Sequence, residues 1–165
     1  MSSLKVVVET NGKGISSYEL VEFLRYFRAA YVASLKNIKK YEYQVANLKD
    51  VDIIKMANIF KLSHVSDSVD SLIAVDCGDS ELELIDIKRE NPLSFTFSGS
   101  GLKVAVALTV VAWLCGAEVS VSEIEAGPFK AESVEIKLPS LADGISRFDF
   151  IFHENSTQRT KLDDN

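Results

Sequence analysis

The stretch Leu93 to Gly116 constrains this chain more than any other. It opens Leu-Ser-Phe-Thr-Phe-Ser, with Leu93, Phe95 and Phe97 alternating with small polar residues. That is the period of a half-buried strand. Gly99 and Gly101 break the alternation, and Ser98 or Ser100 can cap a helix by accepting a free amide. From Val104 the residues are apolar or nearly so on every face until Gly116, a natural C-terminal stop.

A helix that is apolar all round must be covered on more than one side. Val104 to Ala117 spans 14 residues, or roughly 21 Å at about 1.5 Å per residue. A bilayer needs about 20 residues, so a run this short reads as a buried core helix rather than a membrane span. Membrane association through residues 102–116 is the weaker alternative.

The 165 residues suit one domain with a sizeable core. The net charge of −6 is unevenly spread. Residues 1–61 carry ten Lys/Arg against six Asp/Glu, a net +4; residues 62–165 carry eight against eighteen, a net −10. Such a split suits docking to a basic partner, or to another copy as a homo-oligomer. No Lys/Arg cluster dominates a face, which argues against nucleic acid. Two cysteines, Cys77 and Cys115, cannot make a disulfide framework. The first residues lack a basic and then apolar leader pattern, so a cytoplasmic location is expected.

Taken in order, Leu4–Glu9 reads as a valine-rich strand. Ser16-Ser17-Tyr18-Glu19 has the pattern of a capping box, with Ile15 and Leu20 placed as a hydrophobic staple. The helix it starts should run to about Ile38, with Phe23, Leu24, Phe27, Ala30, Tyr31 and Leu35 on one stripe. Asn47 is placed to cap a second helix, Leu48–Leu62. Residues 63–80 are polar and acidic, with a short apolar break at Leu72–Val75 that reads as an edge strand or a packed loop. Glu81–Glu90 and Leu93–Ser98 form a hairpin around Asn91-Pro92. Glu118–Glu125 and Lys130–Leu138 are two further strands. Ser140–Phe152 is ambiguous between helix and strand, with Leu141, Ile145, Phe148 and Phe152 favouring helix. Residues 154–165 read as a polar, disordered tail, leaving one domain over 1–153.

This order predicts an α+β fold: a two-layer sandwich with an antiparallel-rich sheet and helices on one face. It contains the split β-α-β pattern of a ferredoxin-like arrangement, with an inserted helix.

Catalytic groups are sparse. The two histidines are His64 and His153. Ser63 and His64 with Asp67 or Asp70 make a poor triad candidate, because sequence neighbours rarely converge in space. The acidic run is the stronger signal: Asp67, Asp70, Asp76, Asp79, Glu81, Glu83 and Asp86 fall without an intervening Lys or Arg. Their spacing is not that of a calcium loop, so no metal is expected. They read either as a solvated face or as a docking surface for a basic partner. Ser98, Gly99, Ser100, Gly101 and Lys103 join strand to helix and could cradle an anion. They match neither the Walker nor the dinucleotide pattern, so a tight turn is the simpler reading and no cofactor is implied. Tyrosines beside Arg25 and Arg28 on the first helix suit a protein contact where exposed.

The stretch Ile85-Asp86-Ile87-Lys88-Arg89-Glu90-Asn91-Pro92-Leu93 before a long apolar helix, with the early Ser-Tyr-Glu-Leu-Val-Glu-Phe-Leu helix, resembles small prokaryotic α/β proteins of biological-conflict systems. These serve as adaptors or immunity-type partners of effectors. The resemblance implies a non-enzymatic module that binds a protein partner, possible targets being a basic toxin or effector, and it carries no catalytic pattern. The alternative to it is a small-ligand or phosphate-handling enzyme using the Ser98–Lys103 turn.

Overall fold

The computed structural model describes residues 2–10, 14–40, 67–89, 92–99, 107, 111, 118–125 and 130–163. Its centre is a five-stranded sheet of β1 (Ser2–Val8), β2 (Glu83–Arg89), β3 (Leu93–Gly99), β4 (Glu118–Glu125) and β5 (Lys130–Leu138), in the order β2-β3-β1-β5-β4. Three neighbouring pairs are antiparallel, and β1 with β5 is parallel. The helices are α1 (Ser17–Lys40), α2 (Val69–Ile73) and α3 (Leu141–Asp163), with a 3-10 turn at Gly78–Ser80. The protein therefore has an α+β fold.

Register explains which face is buried. Leu4 lies beside Phe97, Val6 beside Phe95 and Val8 beside Leu93. On the other side Val6 meets Ile136 and Val8 meets Leu138. Paired residues point to the same face, so one face of the sheet is a continuous apolar floor. The row between them carries Lys5, Thr96, Glu135 and Lys137 and faces away.

Both long helices sit on the apolar floor. Phe27 of α1 stacks on Phe97 with ring centroids 4.5 Å apart, and Phe23 lies 6.3 Å from Phe95. Phe148 of α3 meets Phe23 at 6.3 Å and meets Phe27 edge-on at 6.4 Å. At Gly144 α3 packs closely: a Cβ there would stand 2.9 Å from the Phe23 ring and 3.0 Å from Leu138. The helical reading of residues 140–152 is the one the structure adopts. The helix also continues through residues 154–163, where a tail was expected. That stretch holds no Gly or Pro to stop it.

The split β-α-β is present. β1 and β2 both run antiparallel to β3, which lies between them, with α1 as the crossover. The second half departs from a ferredoxin-like repeat. Two strands rather than one follow the apolar segment, and β5 wedges between β1 and β4.

Two further differences concern the helices. The apolar break near Leu72 is neither strand nor loop but the short helix α2. Ser68 caps it, its hydroxyl accepting the Ser71 amide at 3.2 Å, and Leu72 is fully buried beneath it. In α1 burial is not confined to one stripe: from Tyr26 to Leu35 every residue but Arg28 is buried. The central buried helix expected at 102–116 therefore has company. Of that segment Ala107 and Val111 are described; both are helical, one turn apart, and completely buried in the same core. The proposed helix at residues 48–62 lies outside the described residues.

Candidate functional site

The acidic run folds against the basic side of α1. Arg25, Arg28 and Lys36 lie three and eight residues apart, close to whole turns, so they share a flank of the helix. Each meets a carboxylate of the run. Arg25 pairs with Asp70, Arg28 with Glu81, and Lys36 with Asp67 at 3.2 Å. The opposite charges of the two halves of the chain are thus partly spent inside one molecule.

Arg28 is the hub. Its Nε donates to the Ile73 carbonyl at 3.2 Å and its Nη2 to the Val75 carbonyl at 2.7 Å. Nη1 and Nη2 take the two carboxylate oxygens of Glu81. Glu81 also accepts the Cys77 amide at 3.3 Å. One planar guanidinium, with its fork of donors, closes the loop after α2 onto the helix. Beside it Tyr31 donates to the Ser80 carbonyl at 2.5 Å. The turn between them is tightened by Asp76, whose carboxylate accepts the Gly78 amide at 2.9 Å. Gly78 has a φ of +55°, a region where a side chain would be strained.

Electrostatics follow the contacts. The Arg28 hydrogen bond holds the Glu81 carboxyl below its usual range, and Glu81 raises Arg28 in turn. Burial pushes the Tyr31 hydroxyl well above the ordinary tyrosine value. Tyr26 is pushed up to about 12, first by burial and then by its 2.7 Å hydrogen bond to Asp149. A general acid or base must change its proton near the working pH. Glu81, Tyr31 and Tyr26 are each moved away from it.

The seven acidic positions therefore divide. Asp67, Asp70 and Glu81 are bound to α1. Asp76, Asp79, Glu83 and Asp86 are exposed. Asp86 lies 3.7 Å from Lys88 two residues on. No ion pair joins Asp76, Asp79 or Glu83 to a basic side chain among the described residues. Asp76 and Asp79 precede β2, Glu83 begins it and Asp86 is at its middle, and the strand is exposed at every position. Leu84, Ile85 and Ile87 there are 41%, 55% and 54% accessible.

The remaining candidates fall as follows. Ser98 is buried within β3, and Gly99 pairs with Ser2 at the end of the sheet. Ser100, Gly101 and Lys103 lie outside the described residues, as do Ser63 and His64. His153 is in α3, its side chain outside them. Tyr26 and Tyr31 are buried rather than exposed beside the arginines, because α3 and the Gly78–Ser80 turn cover them. Tyr18 is exposed. Cys77 is half-buried. Among the described residues no group of histidine, cysteine and carboxylate side chains could hold a metal ion, and no helix is long and apolar enough to cross a membrane.

The Arg28 hub escaped sequence reasoning. Its signal was present: Arg28 is the lone charge in the turn-rich apolar run from Tyr26 to Leu35. A charge embedded in such a run requires a partner from elsewhere. In comparisons with known proteins, no family model, no curated protein and no solved structure matches the chain.

Proposed function

We propose that this protein is a non-enzymatic, cytoplasmic interaction module. It binds a basic protein partner through Asp76, Asp79, Glu83 and Asp86, in the manner of an immunity or adaptor protein that meets a toxin or effector. One observation carries the reading. Asp67, Asp70 and Glu81 are ion-paired to Lys36, Arg25 and Arg28 of α1, while Asp76, Asp79 and Glu83 are exposed with no ion pair to a basic side chain among the described residues. Like charges held together on a fixed surface repel one another, and an incoming Lys/Arg surface relieves that repulsion. The Arg28 clamp supplies the rigidity, because it holds the loop that carries Asp76 and Asp79.

The test is affinity capture from native lysate with matched baits. A basic protein retained by the wild type should be lost with Asp76→Lys/Asp79→Lys and released by raised salt. A partner that ignores both the charge reversal and the salt would overturn the proposal.

A further inference from the structure

The outer edge of β2 carries a second message, which shares Asp86 with the acidic surface. Among the described residues strand β2 ends the sheet, and its hydrogen-bonded neighbour on the inner side is β3. An exposed edge presents unpaired backbone groups to any strand that can align with it. Edges are protected by shortness, charge or a bulge, and β2 has four charged residues and an irregularity at Ile85, yet it stays long and keeps its aliphatics exposed. This edge is seven residues long, and its sequence Glu-Leu-Ile-Asp-Ile-Lys-Arg carries acid in the first half and base in the second. Three large aliphatics lie exposed between them.

We infer that β2 is the interface between two copies of this chain, paired antiparallel about a two-fold axis through Ile87. Antiparallel alignment is what turns the charge order into complementarity. With Ile87 opposite its own copy, Asp86 of each chain faces Lys88 of the other. Register with β3 puts Asp86 and Lys88 on the polar face of the sheet, opposite Thr96 and Ser94. Ile87, opposite Phe95, is on the face that bears the helices. The two chains thus bring opposite charges together on the polar face and Ile87 onto Ile87 on the other. The 3.7 Å contact between Asp86 and Lys88 within one chain is exposed and easily exchanged for two contacts across the axis. A parallel alignment in register would set Asp86 on Asp86 and Lys88 on Lys88.

The irregularity at Ile85, between Leu84 and Asp86, limits the regular strand to residues 86–89. A strand that short buries less than the roughly 1,000 Å² of a stable interface, so the dimer is concentration-dependent. Two-fold pairing is closed, so it consumes the edge and stops at two copies. Asp76 and Asp79 precede β2 and are not used, whereas Asp86 belongs to both surfaces, so the second copy leaves Asp76 and Asp79 open to a basic partner but competes with it for Asp86.

Sedimentation velocity across a wide concentration range tests this, with circular dichroism confirming that each variant is folded. The wild type should shift from 18.2 kDa towards twice that mass. Asp86→Lys puts Lys against Lys on both sides of the axis and should weaken association by at least about tenfold. Ile87→Lys should do the same. The double swap Asp86→Lys/Lys88→Asp restores complementarity and should restore the dimer. A wild type that stays monomeric throughout overturns the inference, even if Ile87→Lys then abolishes capture of another protein; the edge would belong to that protein. Association indifferent to Asp86→Lys, or not rescued by the double swap, overturns it as well. Loss of basic-partner capture with the dimer intact would instead strike only the acidic surface.

Discussion

The guanidinium of Arg28 grips both carboxylate oxygens of Glu81, 53 positions further along the chain. It also caps the carbonyls of Ile73 and Val75. One helical side chain therefore ends the wandering of the segment that links α2 to the edge strand.

Replacing Arg28 with Ala strands the Glu81 carboxylate and two carbonyls at once. The group is partly exposed, so water recovers some of the loss. The expected destabilisation is about 1–3 kcal/mol in urea unfolding at neutral pH. Arg28→Lys keeps the charge but not the fork of donors, and should recover less than half of it.

Acid should weaken the same clamp. The folded-state pKa of Glu81 lies below the unperturbed 4.5, chiefly through the Arg28 hydrogen bond. As pH falls, the unfolded chain takes up the proton first. The contribution is therefore complete above about 4.5 and disappears as pH drops through the folded-state value. Wild type should be more stable than Glu81→Gln at neutral pH, and the gap should close in acid. A gap that persists unchanged in acid would count against the ion pair as its source.

Tyr26 provides the mirror case at high pH. Its hydroxyl is raised from 10.0 to about 12 by burial and by Asp149. Its contribution is present below pH 10.0 and is lost as pH rises through about 12. Tyr26→Phe should cost about 1 kcal/mol at neutral pH. Phenolate absorbance should show one fewer late-ionising group in the folded variant.

Gly144 sets the approach of α3. Alanine in a helix is favoured over glycine by about 1 kcal/mol. Here the added methyl would stand 2.9 Å from the Phe23 ring and 3.0 Å from Leu138. Overpacking of that kind costs about 1–3 kcal/mol, so Gly144→Ala should destabilise overall, and Gly144→Val more so. Thermal unfolding decides the sign.

Phe27 lies among Phe23, Phe97 and Phe148. Phe27→Ala should cost about 3–5 kcal/mol by the cavity it leaves. Tyr18→Ala, at a residue 74% exposed on the same helix, should stay within about 0.5 kcal/mol. Denaturant midpoints at unchanged slope would report both.

Local pattern made much of this molecule legible in its residues alone. Leu93, Phe95 and Phe97 alternate because β3 has one buried face, and β4 and β5 begin and end where the alternation and turn residues place them. Leu20, Phe23, Phe27 and Leu35 declare α1, and Asn91-Pro92 separates two strands that do pair. These are short-range facts: period, capping and turn chemistry act within a few residues. Which strand lies beside which is different, because β5 meets β1 through backbone hydrogen bonds that carry no residue identity. The charge imbalance between the halves of the chain was visible, but its use was not. Only the tertiary structure spends Asp67, Asp70 and Glu81 on α1 and leaves Asp76, Asp79 and Glu83 in water. A charge finds its partner by distance in space, and spatial distance is set by the fold of the whole chain rather than by separation along it.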